Sequence, residues 1–324
     1  MLEKLKSLGP ARVRNDSVVG LCLNRALAVA VTAASPASPA TASHVLVEEL
    51  PTESLGQIKV LTKAVAAYGI RGRAAAITLS PGSYTLLQIE RPPVEDEELV
   101  AAARWRVKNM LDYPVDEAVL QVFDAPQPNE RQRSPMLNVV AAPARAVREL
   151  VGIVRKAGLV PQKVTVAEFA LRDLVSLEGS ESAPAVTIFL TARAGMIQVT
   201  RSGEIYLSRR LDYGLSSVKP VDVLATGIHN TLPLELRRTV DYFDSHFSAG
   251  NIRRILAGPA ENNFMSFMRQ AAEIVGLDVV PLELNAELHR AASKSPDYGL
   301  PEAYFALGGA LSLQQVNAVR QVAV

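Results

Sequence analysis

Two apolar blocks open the readable pattern of this chain, residues 18–23 and 25–31, and their β-rich runs predict a strand hairpin with Asn24 near its tip. Residues 33–43 are almost all Ala, Ser, Pro and Thr, too poor in bulky side chains to pack, and predict a loop. A strand over 44–50 follows. A helix over 54–68 then carries Leu55, Ile58, Leu61, Val65 and Tyr68 at helical spacing, capped by Gly69. Strands over 74–79 and 84–89 flank a Pro81-Gly82 turn, and the prolines after Arg91 mark a boundary.

From Glu98 the period changes again. Leu99, Ala103, Val107, Met110 and Leu111 recur at three- and four-residue steps, which places them on one face of a helix over 98–111 that Pro114 stops. Alternation over 118–123 predicts a strand, a polar loop spans 127–135, and a strand over 137–141 leads into a helix over 145–157. The chain continues with a strand (163–166), a helix (169–176), and strands over 186–190, 196–201 and 204–209, the last two joined at Ser202-Gly203. A helix over 233–247, a strand over 253–257, a helix over 264–275, a strand over 279–284 and a small-residue helix over 303–313 complete the pattern.

Length and charge narrow what such a chain can do. At 324 residues two or more compact units are expected. The 34 Lys plus Arg nearly balance 33 Asp plus Glu, which argues against a general nucleic-acid binder, because no cation excess is present to displace counterions. The single cysteine, Cys22, forms no internal disulfide or thiolate cluster and reads as a small buried residue. No apolar run reaches the roughly 18 to 20 residues that span a bilayer. Near the start, Lys4, Lys6, Arg12 and Arg14 beside Leu2 and Leu5 offer only a weak peripheral membrane contact.

Candidate chemistry is sparse. His44, His229, His246 and His289 are scattered without metal spacing, and no metal site is expected. The run from Glu95 to Glu98 sits at a helix start, where carboxylates favour the positive end of the dipole, and consecutive carboxylates point apart rather than forming a catalytic pair. Neither a nucleophile elbow nor a P-loop signature occurs, so no catalytic residue is assigned.

One segment carries a resemblance. Trp105, Lys108, Asp112, Tyr113, Pro114, Val115, Ala118, Val119, Phe123, Asp124 and Pro126 form a helix-turn-strand pattern that resembles the MshI family of mannose-sensitive haemagglutinin pilus assembly, itself similar to PilM and, more remotely, to FtsA. A second stretch, Glu235, Arg237, Arg238, Asp241 and Tyr242, is similar to PilM and MshI relatives, although an exposed Glu/Arg helix face is ordinary. The resemblance implies a two-lobed actin-like α/β fold with a small inserted α+β subdomain. It divides the chain into a first lobe (1–92, resuming at 161–182), the insert (93–160), a second lobe (183–298) and a C-terminal helix returning to the first lobe (299–324).

Actin-like ATPases hold nucleotide in Gly-rich turns whose amides approach phosphates, with aspartates that organise a metal. Against the family's first such pattern, this chain has Cys22 at the aspartate, Asn24 at the turn glycine and Arg25 beside it. In the second, Leu190 stands at the aspartate and Ala192 and Arg193 follow. Of the third only Gly258 survives, followed by Pro259, which has no amide to donate. The expectation is a degenerate cleft with no cofactor and a non-catalytic scaffold. The implied partners are the cytoplasmic N-terminal tail of a bitopic inner-membrane, PilN-like protein and other pilus assembly components. That places the protein in the cytoplasm, peripheral to the inner membrane, with no nucleic-acid partner. Leu99, Ala103, Trp105, Val107 and Met110 are the candidate neighbourhood for the tail. The alternatives are an actin-like ATPase with atypical ligands and the cytoplasmic domain of a GspL-like type II secretion protein, which normally runs on into a transmembrane helix.

Overall fold

The structure is a computed structural model that describes residues 17–24, 26–33, 42–127, 134–176, 183–218, 228–260, 262–282 and 300–322. It divides into two compact units, one formed by Met1–Pro81, Arg145–Leu177 and Leu284–Val324, the other by Gly82–Ala144 and Glu178–Glu283. Elements are numbered in chain order.

The first unit is built on strands β1 (Ser17–Leu23), β2 (Ala26–Ala33), β3 (Ala42–Glu49), β4 (Ala74–Leu79) and β8 (Val160–Val166), in the spatial order β3-β2-β1-β4-β8. The first three are antiparallel neighbours, and β4 and β8 add in parallel. Both faces of β1 are buried, which explains its unbroken apolar run. On one face, helices α1 (Ser54–Ala67) and α3 (Ala144–Lys156) pack on Leu21, Val29 and Ile77 through Leu61, Val65, Ile153 and Val154. The other face receives α4 (Ala167–Val175) and α7 (Leu300–Val322). Backbones approach closely there: a Cβ on Gly20 would lie 1.7 Å from the Ala306 carbonyl oxygen, and one on Gly308 2.1 Å from that of Ala170.

The second unit holds two sheets. Strands β9 (Ala185–Leu190), β10 (Gly195–Arg201), β11 (Glu204–Leu211), β12 (Arg254–Gly258) and β13 (Asp278–Pro281) follow the order β11-β10-β9-β12-β13, again antiparallel over the first three and parallel over the rest. The two five-stranded sheets therefore share one topology. Ser202 and Gly203 both adopt positive φ at the β10–β11 tip, the geometry a two-residue hairpin turn requires. Helices α5 (Ile228–His246) and α6 (Asn262–Glu273) bury Leu236, Phe243, Phe264 and Met268 against Ile188, Ile197 and Ile255.

The smaller sheet, β5-β7-β6, is formed by β5 (Thr85–Glu90), β7 (Met136–Pro143) and β6 (Ala118–Asp124), all antiparallel, with α2 (Leu99–Val107) on one face. Its composition differs from the expected 93–160 block at both ends. Strand β5 pairs with β7 and so belongs to this sheet. Helix α3 leaves it, because Ile153, Val154 and Ala157 are buried in the core of the first unit. Helix α2 is also shorter than 98–111. It stops at Val107, and the turn that follows leads to Pro114, whose ring disfavours helical geometry in the residue before it. Of the loop expected over 33–43, residues 34–41 lie outside the described residues.

Candidate functional site

The three segments that stand where actin-like ATPases hold nucleotide, expected to be degenerate in this chain, fold differently from one another. At the first turn, between β1 and β2, the Cys22 side chain points inward and is fully buried. Its Sγ lies 3.2 Å from Ser80 Oγ. Burial, reinforced by the Glu302 carboxylate, pushes the thiol well above its usual range, so it stays protonated at any physiological pH. Asn24 is exposed at the tip, and its Nδ2 donates to Glu302 Oε1 at 3.5 Å. Glu302 comes from the first turn of α7, 278 residues away in sequence. A carboxylate is thus present near the first turn, but from a helix rather than from β1. Arg25 lies outside the described residues.

The second turn, between β9 and β10, is tied up by backbone. Thr191 N–H donates to the Ala194 carbonyl at 2.8 Å, and Thr191 Oγ1 accepts from Ala194 N–H at 3.2 Å. The segment after β11 then crosses this turn. Leu215 N–H donates to the Thr191 carbonyl at 2.8 Å, while Ser216 N–H and Oγ both donate to the Ala192 carbonyl, at 3.0 and 2.7 Å. Gly214 makes the crossing possible, since a Cβ there would lie 2.3 Å from Thr191 O and 2.6 Å from Arg193 N. Leu190, at the expected aspartate, is fully buried among Ile188, Ile197 and other core side chains, a place where a carboxylate would be costly. Arg193 is exposed and Ala192 half-buried.

Beside Gly214, Tyr213 has a buried hydroxyl. Burial and, secondarily, Glu235 push its phenol up to about 12. At the third segment, Gly258 ends β12 and is followed by a cis bond to Pro259. A Cβ on Gly258 would meet the Phe189 ring at 2.9 Å and Leu282 Cβ at 3.3 Å. The surviving glycine is accounted for by packing of Phe189, with no ligand needed to explain it.

The five candidate tail-binding residues separate into two groups. Leu99, Ala103 and Val107 are buried with Ile89, Leu120 and Val139 as the core of the small sheet, so they are corrected to structural positions. Trp105 and Met110 face outward, 72% and 51% exposed. Lys108 Nζ sits 5.0 Å above the indole ring. Arg104, one residue earlier, donates to the Val115 and Ala118 carbonyls, which fixes the Tyr113-Pro114 turn to the start of β6. Strand β6 is an edge of its sheet, pairing among the described residues with β7 alone, and Val119 on it is exposed.

Other sequence candidates fall into structural roles. Asp96 of the acidic run shares Arg91 with Asp124. His246 stacks on Tyr242 with ring centroids 3.9 Å apart; only the backbone of His44 and His229 is described, and His289 lies outside the described residues. Glu235 pairs with Arg238 at 2.9 Å and Arg209 at 3.6 Å. Among the described residues no group of three His, Cys, Asp or Glu could hold a metal ion, and no helix is long and apolar enough to cross a membrane. Sequence reasoning missed the crossing at 214–216 and the carboxylate of Glu302. The first had a signal, a glycine followed by Leu-Ser-Ser just after a strand, but nothing in it names the turn it covers.

No family model and no curated protein matches this sequence. Solved structures do. A PilM–PilN type IV pilus biogenesis complex is similar over 94% of this chain and 99% of that one, with 18% identity and a TM-score of 0.66. A Bacteroides thetaiotaomicron protein described as having an actin-like ATPase fold and unknown function covers 86% of this chain and 96% of its own, at 9% identity and a TM-score of 0.52. The fold of this chain is actin-like by its likeness to these structures, and its two five-stranded sheets share one strand order.

Proposed function

We propose that this protein is a non-catalytic, MshI-like scaffold of type IV pilus assembly, which binds the cytoplasmic tail of a PilN-like inner-membrane protein through its small inserted sheet. The observation that carries the reading is the likeness, over nearly the full length of both chains, to a PilM–PilN complex. Two features support it. The nucleotide turns have lost their carboxylates, and the second is covered by the chain's own backbone. The small sheet meanwhile offers an open edge at β6 and an exposed Trp105 and Met110, which suit an extended peptide that adds backbone hydrogen bonds and seats a few side chains. In this reading the protein works in the cytoplasm, beside the inner membrane.

A pull-down from a membrane fraction, followed by titration of any recovered tail as a peptide, tests the proposal. Trp105 is the only tryptophan, so its emission reports binding directly. Trp105→Ala should weaken the peptide by roughly tenfold or more, as loss of an aromatic anchor does. Recovery of no pilus component would count against the scaffold reading.

Glu302 favours one competitor, an ATPase with atypical ligands, because it brings a carboxylate beside Cys22 and Asn24. Phosphate release from Mg-ATP that disappears in Glu302→Gln would select it.

A further inference from the structure

Six exposed cations of this nearly neutral chain share one face of the first unit. Helices α1 and α3 lie side by side on the same face of the five-stranded sheet, since both contribute to one core. What they turn outward follows from helical spacing. In α1 the exposed line runs Leu55, Lys59, Lys63 at four-residue steps. In α3 it runs Arg145, Arg148, Glu149, Arg155, Lys156. Ser54 at the start of α1 donates to Glu149, which joins the two helices and engages the one carboxylate of the α3 stripe. Among the described residues none of the six cations on this face forms an ion pair.

We propose that the α1/α3 face is a docking surface for a bilayer of anionic phospholipid. Three observations favour that partner. The cations are spread over a two-helix layer rather than lining a cleft, as suits a broad charged surface. Leu55, 71% exposed, stands in line with Lys59 and Lys63, and an apolar side chain beside cationic ones is the chemistry of a membrane interface. No aromatic side chain stands in either exposed line to stack on bases, which disfavours a single-stranded nucleic acid. The proposal does not depend on tail binding, because none of its residues belongs to the small sheet.

Flotation of the full chain with vesicles tests it. Binding to vesicles of phosphatidylcholine mixed with phosphatidylglycerol, none to phosphatidylcholine alone, and release by raised salt are expected. Each basic residue near such a surface strengthens binding by roughly fivefold. The variant Lys59→Glu/Lys63→Glu/Arg155→Glu/Lys156→Glu should therefore lose on the order of a hundredfold or more. The same four positions changed to Gln should lose less, and Arg237→Glu/Arg269→Glu on the other unit should float as wild type. Unchanged melting curves confirm that each variant is folded. Leu55→Ser should weaken binding while leaving the salt dependence intact. The proposal is overturned if the wild type floats with neither vesicle, if the quadruple Glu variant floats as well as wild type, or if the face retains duplex DNA while ignoring vesicles.

Discussion

The two hairpin turns at the ends of β1 and β9 occupy the same place in two sheets of the same topology, yet each has been filled by a different means. The first is filled by side chains. Cys22 turns inward onto Ser80, and Asn24 reaches a carboxylate from a distant helix. The second is filled by main chain, with residues 214–216 hydrogen-bonded across Thr191 and Ala192. A turn of this kind has polar backbone groups to satisfy, and leaving them buried and unpaired is costly. Side chains meet that need weakly and adjustably, whereas backbone meets it rigidly. The second turn should therefore be the more sensitive to substitution.

Gly214→Ala gives the largest effect, because the new Cβ would meet three backbone atoms of residues 191–193 within 2.7 Å. A loss of about 3 kcal/mol in urea unfolding is expected, the upper end of overpacking costs. A wild-type midpoint for this variant would mean that the crossing segment is not held as described. Thr191→Val comes next. It removes the hydroxyl that bonds Ala194 and should cost about 1 to 2 kcal/mol.

Alkaline pH probes the same crossing through Tyr213. Its phenol, raised from 10.0 to about 12 in the folded state, holds its proton more tightly than in the unfolded chain. The stability this contributes is complete below pH 10 and is lost as pH rises through about 12. Tyr213→Phe should flatten that slope, and in ultraviolet titration it should remove a tyrosine that ionises near pH 12.

Smaller effects belong to the first turn. Asn24→Ala removes one long, part-buried hydrogen bond and should cost about 0.5 to 1 kcal/mol. Cys22, the only cysteine, should resist a thiol reagent at pH 8 in the native protein and react fully in denaturant. If Asn24→Ala destabilised as much as Gly214→Ala, the contrast between the two turns would fail.

Much of the fold is legible in periodicity alone. Strands β4 and β9 and the helix of residues 54–67 appear where alternation or helical spacing places them, because a strand buried on both faces or a helix with one apolar stripe has few other ways to satisfy its side chains. What periodicity cannot carry is the identity of the surface an apolar stripe covers. The stripe of Leu150, Val151 and Val154 marks a helix equally well whether it packs on the small sheet or on the first unit, and it packs on the first unit. The departures of the three turns from the actin-like ATPase pattern are visible in the residues at positions 22, 24, 190 and 259. How the turns are filled is not, because Glu302 and Gly214 lie far along the chain from the atoms they meet. Trp105 shows the same limit at a single position. Its exposure is read from the structure, as is that of Met110, which spacing places on the apolar face but which lies beyond the end of the helix at Val107.

Calorimetric titration of the full chain with ATP in the presence of Mg tests the central claim most directly. Turns that lack the family's own aspartates, the second of them crossed by backbone, predict no heat of binding at micromolar to millimolar nucleotide. Saturable binding with micromolar affinity would contradict the account, and phosphate release accompanying it would replace the scaffold with an enzyme.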